Sequence, residues 1–438
     1  MDRTAISITF LFLLILHCNA TPNIIIVGAG AAGVAAASKL LQNNITNITI
    51  LEAENRIGGR VYSVKFGDAI IDLGAQWCHG EKNNVVYDMV KDLDLLRPGE
   101  VILNYYYSTG EDLDDEFVNE LYNLFQEIYY GEKHDSKTSL GDYVTKRSVC
   151  KYYKSKFVTT VYLRFTKSVV EKYGNDTKKL KLARESLDGM MKHALSIQGA
   201  FSWFEMSAEH DYEDCEGNNL LNWKGHGYKT ILDVLMQKYP NPEKQLPIDD
   251  KIYLNKEVTV VEWNNTDNEH PGKTVVKCKD GSLYYADHVI FTPSLGVLKD
   301  NYKSLFRPSL PKEKANVIET LGIGAVFKIF LHYPLRWWLN ANSSDMVFIW
   351  SEEDKELLPQ EFPSGPIKNG NSWLNNLIGL FGVTEENRHL LTAWFSGEFI
   401  PEIEKCSDEL LVEGITFVLN KFVGKEFPNI TRPDAVIR

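Results

Sequence analysis

The sequence predicts an α/β protein: a discontinuous Rossmann-type domain joined to an α+β second domain. Three observations predict it. Residues 23–52 run as an apolar stretch, a glycine-rich turn, a helical pattern and a second apolar stretch ending in an acid. Residues 112–131, and charge-rich patterns on to about 198, space their apolar positions as helices do. Near 252 short alternating runs return, with Asp280-Gly281 between two of them as a hairpin turn. The expected division is 21–110 with 223–300 for the nucleotide domain and 111–222 with 301–438 for the other.

The elements follow in order. "NIIIV" is the first strand, "GAGAAG" the turn, and "VAAASKLLQ" a helix leading to the strand "ITILE". After the helical insertion, "NWKGHGYKTILDVLMQKYP" reads as a glycine turn entering an amphipathic helix. "IYLNKEVTVVEW" and "KTVVKCKDGSLYYADHVIFTP" are the returning strands. "KEKANVIETLG" is a helix that Gly322 is expected to close, and "AVFKIFLHY" a strong strand.

Composition narrows the class. Hydrophobic residues make up 44% and charged residues 24% of 438, the balance of a globular protein with a core. A net charge of -12 argues against a nucleic-acid surface, which needs a clustered basic face, and fits mild attraction of cationic ligands. Arg3, the run "AISITFLFLLIL" and the small residues Cys18 and Ala20 form the layout of a secretory signal peptide over 1–20. That run is shorter than a membrane span, and no later segment is apolar enough for one. The expected location is therefore extracellular, which gives meaning to the N-x-S/T sequons at Asn44, Asn47, Asn175, Asn264, Asn342 and Asn429. Five cysteines remain beyond Cys18 without a CxxC pair, so neither a disulfide framework nor a zinc site is indicated.

Gly28, Gly30 and Gly33 fit G-x-G-x-x-G at the end of the first strand, with Ala32 inside the same turn. Gly28 permits the tight turn, Gly30 lets backbone approach a pyrophosphate, and Gly33 lets the helix pack on the strand. The helix N-terminus faces the anion. Glu52, at the end of the second strand, can accept from a ribose hydroxyl. NAD and FAD both satisfy this arrangement. The loop "ENRIGGR" that follows brings two adjacent glycines to the phosphates, with Arg60 able to pair with them, and selects FAD.

These segments, with "DLGAQWCHG", "GHGYKTILDVL", "NKEVTVVEW", "ADHVIFTPSLGVLK" and "LGIGAVFKIFLHYPLRWW", resemble the flavin-dependent amine oxidases in the same order. That group includes monoamine, polyamine and spermine oxidases and the flavin histone demethylases. The resemblance covers roughly residues 23–400 and is nearest to the polyamine and spermine oxidases. It implies an FAD-binding domain and a substrate domain. It also implies hydride transfer from the carbon beside an amine to flavin N5, hydrolysis of the imine, and reduction of O2 to H2O2.

Lys328 interrupts a strand otherwise apolar on both faces. A buried ammonium there requires a partner or a task, or else a stem that snorkels at a sheet edge. The resemblance gives it the task of holding a water against flavin N5 and assisting reaction with oxygen. The resemblance also runs the backbone of Gly74, Ala75, Gln76 and Trp77 past the flavin ring. It sets His79 against the substrate, Glu81 near its ammonium, and the backbone of Val258 near the adenine.

The family pattern normally runs on past the equivalent of Arg438 with a tryptophan-bearing segment, a "GSY"-like stretch and a "GE-(A/T)" motif. Their absence after Arg438 keeps open a catalytically silent flavin- or amine-binding relative. An L-amino-acid oxidase is the other alternative; it needs an arginine for the substrate carboxylate, and none stands in a recognisable context for that role, with Arg336 and Arg388 left open.

Overall fold

A computed structural model describes residues 21–99, 102–111, 113–130, 156–202, 205, 215–263, 270–338, 345–383 and 389–438. The signal segment 1–20, Cys150, the sequons at Asn264 and Asn342, and Arg388 lie outside them. The chain divides into two units. One comprises Met1–Val64, Asp72–Pro98 and Cys215–Leu321, the other Lys65–Ile71, Gly99–Asp214 and Gly322–Arg438.

These breaks differ from those expected at 110, 222 and 300, and long-range pairing explains why. Strand Leu103–Tyr107 pairs with Asp345–Ile349 in the sheet of the second unit. Residues 215–222 are sewn into the first unit by the bridges Cys78↔Leu221 and Arg97↔Asn222. The helices Leu295–Leu305 and Lys312–Thr320 stay with the first unit because Tyr302, Leu305 and Ile318 bury against Val261 and Phe306. Leu321 ends the second of these helices in an extended conformation, so Gly322 does not close it.

In the first unit, strand Ile24–Val27 is paired in parallel with Ile48–Leu51 on one side and His288–Phe291 on the other. All four of its residues are buried, as an apolar run covered on both faces should be. Ile24 and Ile26 face the helix Ala31–Gln42, packing with Val34, Ala37 and Leu41. Ile25 and Val27 face the opposite way, onto Val276, Cys278 and Ala286 of the antiparallel strands Val258–Glu262, Thr274–Cys278 and Leu283–Ala286. Gly281 turns the hairpin with φ +86.

The second unit holds a six-stranded sheet in which Phe327–His332 lies between Leu390–Phe395 and Ala435–Ile437. Its core joins that sheet to the helix Asp408–Val423 through Leu411, Ile415, Val418 and Phe422. The helices Asp115–Tyr130, Lys156–Tyr173 and Thr177–Gln198 form a separate apolar cluster around Leu121, Phe165 and Leu187. Among the described residues no helix is long and apolar enough to cross a membrane.

Candidate cofactor and active site

The glycine turn is built by close approach. Gly28 adopts φ +97, and a Cβ there would lie 2.6 Å from Thr292 Oγ1. A Cβ on Gly33 would fall 1.9 Å from the Gly28 carbonyl oxygen, so only glycine lets the helix start this near the strand. Gly30 is different. A Cβ there would meet nothing nearer than the Gly58 carbonyl at 3.9 Å. The space over Gly30 is open, as the pyrophosphate role requires.

The helix Ala31–Gln42 begins at Gly30 with no side-chain cap and no acid in its first turn. Its leading N–H groups, those of Ala31, Ala32 and Gly33, therefore present donors and positive dipole to an anion. The paired-glycine loop reaches the same place: Gly58 N donates to Ala29 O at 2.9 Å, and Gly30 and Gly58 form a parallel bridge. Arg60 is exposed and, among the described residues, its guanidinium has no hydrogen-bond or ion-pair partner, leaving it available to phosphate. An open cradle, an uncapped helix start and an available arginine fit the diphosphate of FAD.

Glu52 does more than the sequence reading assigned. It is 8% exposed. Oε2 accepts from Ala29 N at 2.7 Å and Oε1 from Glu54 N at 2.8 Å. The carboxylate thus pins the glycine turn to the second strand, and a second lone pair on each oxygen remains for a ribose hydroxyl. Glu52→Ala removes two charge-assisted bonds to backbone, each worth about 1.5–3 kcal/mol. Both the melting temperature of the apoprotein and FAD retention on dialysis are expected to fall; if both are unchanged, the carboxylate does neither job.

Two contributors were missed from sequence. Thr292 Oγ1 donates to Val27 O at 2.7 Å and seals the back of the turn. Arg56 NH1 donates to Gly59 O at 3.0 Å, pairs with Glu54 at 2.9 Å and lies 3.9 Å over the Tyr62 ring, stapling the second glycine loop. The first arginine of "ENRIGGR" was the available signal for Arg56. Thr292 carried none, because its partner is 265 residues away.

Gly74 and Ala75 run beside Arg60. Ala75 N donates to Arg60 O at 3.0 Å, and a Cβ on Gly74 would come 1.9 Å from that oxygen. Beyond Gln76, residues 78–82 pair with 216–221: Cys78 N to Leu221 O at 3.1 Å, Gly80 N to Asn218 O at 3.0 Å and Glu81 N to Glu216 O at 2.7 Å. His79 is exposed on this ladder, its ring 6.2 Å from that of Trp77. Nδ1 lies 2.6 Å from the Asn219 carbonyl and must donate to it, so a neutral ring keeps Nε2 as an acceptor. Glu81 packs its side chain against Gly217, where a Cβ would approach within 2.9 Å. Val258 is half-buried in the antiparallel strands, opposite Cys278 at a register shift.

Lys328 belongs to the second unit. It sits opposite Trp394 in the sheet, half-buried, with its ammonium 5.4 Å from the Trp394 ring and 5.5 Å from that of Phe330. Aromatic faces at this distance attract a cation, which partly offsets the burial of the charge. Arg336, in the same unit, buries its Nε without a hydrogen-bond partner among the described residues. Cys78, Cys215, Cys278 and Cys406 are free thiols.

The glycine cradle, the buried acid at the end of the second strand and the arginine loop together make a dinucleotide site on a parallel α/β unit. The sequence profile of the family "Flavin containing amine oxidoreductase" matches residues 31–438. The chain belongs to that family, and its cofactor is FAD. It is 28% identical over 446 residues to probable polyamine oxidase 5 of Arabidopsis thaliana, covering 93% of this chain and 77% of that protein. It is 26% identical over 448 residues to the human peroxisomal N(1)-acetyl-spermine/spermidine oxidase, covering 95% and 80%. Among solved structures it shares the fold of a redesigned putrescine oxidase, with a TM-score of 0.52, 16% identity and coverage of 95% and 84%.

Proposed function

We propose that this amine oxidase is secreted and oxidises polyamines of the spermine type. The observation that carries the substrate class is similarity along nearly the whole chain to proteins named as polyamine and acetyl-spermine/spermidine oxidases. The acidic balance of -12 adds to it, since a polycation is drawn to such a surface.

Bound FAD supplies the hydride acceptor and passes the electrons to O2, releasing H2O2. The protein's part is to bind, orient and exclude water. Glu81 offers a carboxylate to a distal ammonium, and His79 Nε2 accepts from an amine N–H while Asn219 fixes the ring. The reacting nitrogen must be unprotonated, so apolar surroundings that lower its pKa belong to the catalyst. Lys328 supplies a cation for the oxygen step. The second unit is the substrate domain in this reading.

Secretion draws on the basic-apolar-small layout of residues 1–20, and on Asn44, Asn47, Asn175 and Asn429 all being exposed. Expression of the full chain in a eukaryotic secretory host tests both parts. The expected product is a glycosidase-sensitive yellow protein in the medium that releases peroxide from spermine or spermidine and not from L-amino acids. Retention in the cell refutes secretion. Peroxide from amino acids alone moves the substrate to the carboxylate-bearing class and directs attention to Arg336.

A further inference from the structure

Asp72 ends the strand Ala69–Asp72 immediately before the segment Leu73, Gly74, Ala75. One of its oxygens, Oδ1, accepts from the Ser63 hydroxyl and from Tyr228 N at 2.9 Å. Ser63 Oγ in turn accepts from Lys229 N at 3.0 Å. Two neighbouring stretches, 60–63 and 72–75, and a third far along the chain, 225–229, therefore converge on one carboxylate. The first two also exchange bonds directly, Leu73 N to Tyr62 O at 2.9 Å and Ala75 N to Arg60 O at 3.0 Å.

The third stretch is a left-handed loop, with φ +77 at both Gly225 and Gly227 and φ 44 at Lys224. Its far end is tied to the other two by Tyr228 N and Lys229 N. It leads into the short helix Thr230–Leu235, whose Leu232 packs against Gly58: a Cβ on Gly58 would lie 3.2 Å from Leu232 Cδ1. Movement of the 225–229 backbone would thus reach the paired-glycine loop as well as Gly74. Both bonds are part-buried, so a Tyr228 or Lys229 N–H that lost its acceptor would lose a partner that water replaces only in part.

We infer that Asp72, acting through Ser63, is a positioning residue that holds the Gly74–Trp77 backbone and the Gly225–Gly227 loop in the register the flavin ring requires. This rests on the reading that residues 74–77 run beside that ring. Asp72 touches neither substrate nor flavin in this role. It sets the geometry of backbone that does.

The test uses the full chain loaded with FAD, and Asp72→Ala, Asp72→Asn and Ser63→Ala. Asparagine keeps an oxygen that can accept from Ser63 and Tyr228, whereas alanine does not. Asp72→Ala is expected to weaken FAD binding about tenfold or more and to change the visible circular dichroism of the bound flavin. Asp72→Asn restores both. Ser63→Ala, which leaves the carboxylate but strands Lys229 N, shifts the same spectrum in the same direction by a smaller amount, and decides the matter if Asp72→Ala does not fold. Wild-type flavin dichroism and affinity in Asp72→Ala, or in Ser63→Ala where that variant decides, with only a lowered melting temperature, overturn the inference by reducing the clamp to a structural prop. A wild-type chain that takes up no FAD overturns the reading of the site itself, and this inference with it.

Discussion

Gly30→Ala is expected to leave the apoprotein folded with a nearly unchanged melting temperature and to weaken FAD binding by about 100-fold. The neighbouring change Gly33→Ala is expected to do the reverse first. At Gly30 the added methyl has no protein atom nearer than 3.9 Å, so nothing in the free chain resists it. It projects into the space over the uncapped helix start, where the pyrophosphate must come within hydrogen-bond distance of backbone. At Gly33 the methyl would sit 1.9 Å from the Gly28 carbonyl, and backbone cannot give way there without parting the helix from the strand. That variant is expected to lose about 4 kcal/mol or more of stability before any ligand is added. Thermal unfolding of the two apoproteins, with FAD titrations alongside, separates the effects. A Gly30→Ala protein that binds FAD normally would show that the cradle holds something other than the diphosphate.

Lys328→Met is expected to slow the reaction of the reduced enzyme with oxygen about 100-fold while leaving FAD retention intact. Methionine fills nearly the same volume, so the sheet position opposite Trp394 tolerates it and the charge alone is removed. Phe327, Ile329 and Leu331 turn to the other face of the strand and into the core, while the half-buried lysine holds its ammonium near the rings of Phe330 and Trp394. In surroundings of low dielectric a fixed cation stabilises a developing superoxide far more than it would in water. Reduction of the enzyme by amine and its reoxidation by O2 can be followed separately by stopped-flow absorbance. Undiminished oxygen reactivity in the variant would refute the assigned role, and the lysine would then be a snorkelling stem.

What the residues announced in advance was local. The run of strand, glycine turn, helix, strand and acid over 23–52 is contiguous, and each residue acts on atoms within its own β-α-β unit. The Asp280-Gly281 turn and the strand Phe327–His332 are legible for the same reason. Contacts across long separations were not. Thr292 closes the glycine turn from the far end of the unit, and Asp72 accepts from the backbone of Tyr228, 156 residues on. The ladder between 78–82 and 216–221 moved a domain break by pairing short polar segments with no strand-like alternation to betray them. Glu52 could be read as an acid in the right place, but its two bonds to Ala29 and Glu54 follow only from the closed turn.

The binding claim is tested most directly by titrating the purified, flavin-stripped 438-residue chain with FAD and following visible absorbance together with bound stoichiometry. Saturable uptake approaching one FAD per chain, with the resolved flavin bands of an enclosed ring, is the expected result. A folded chain that leaves FAD free in solution would contradict it.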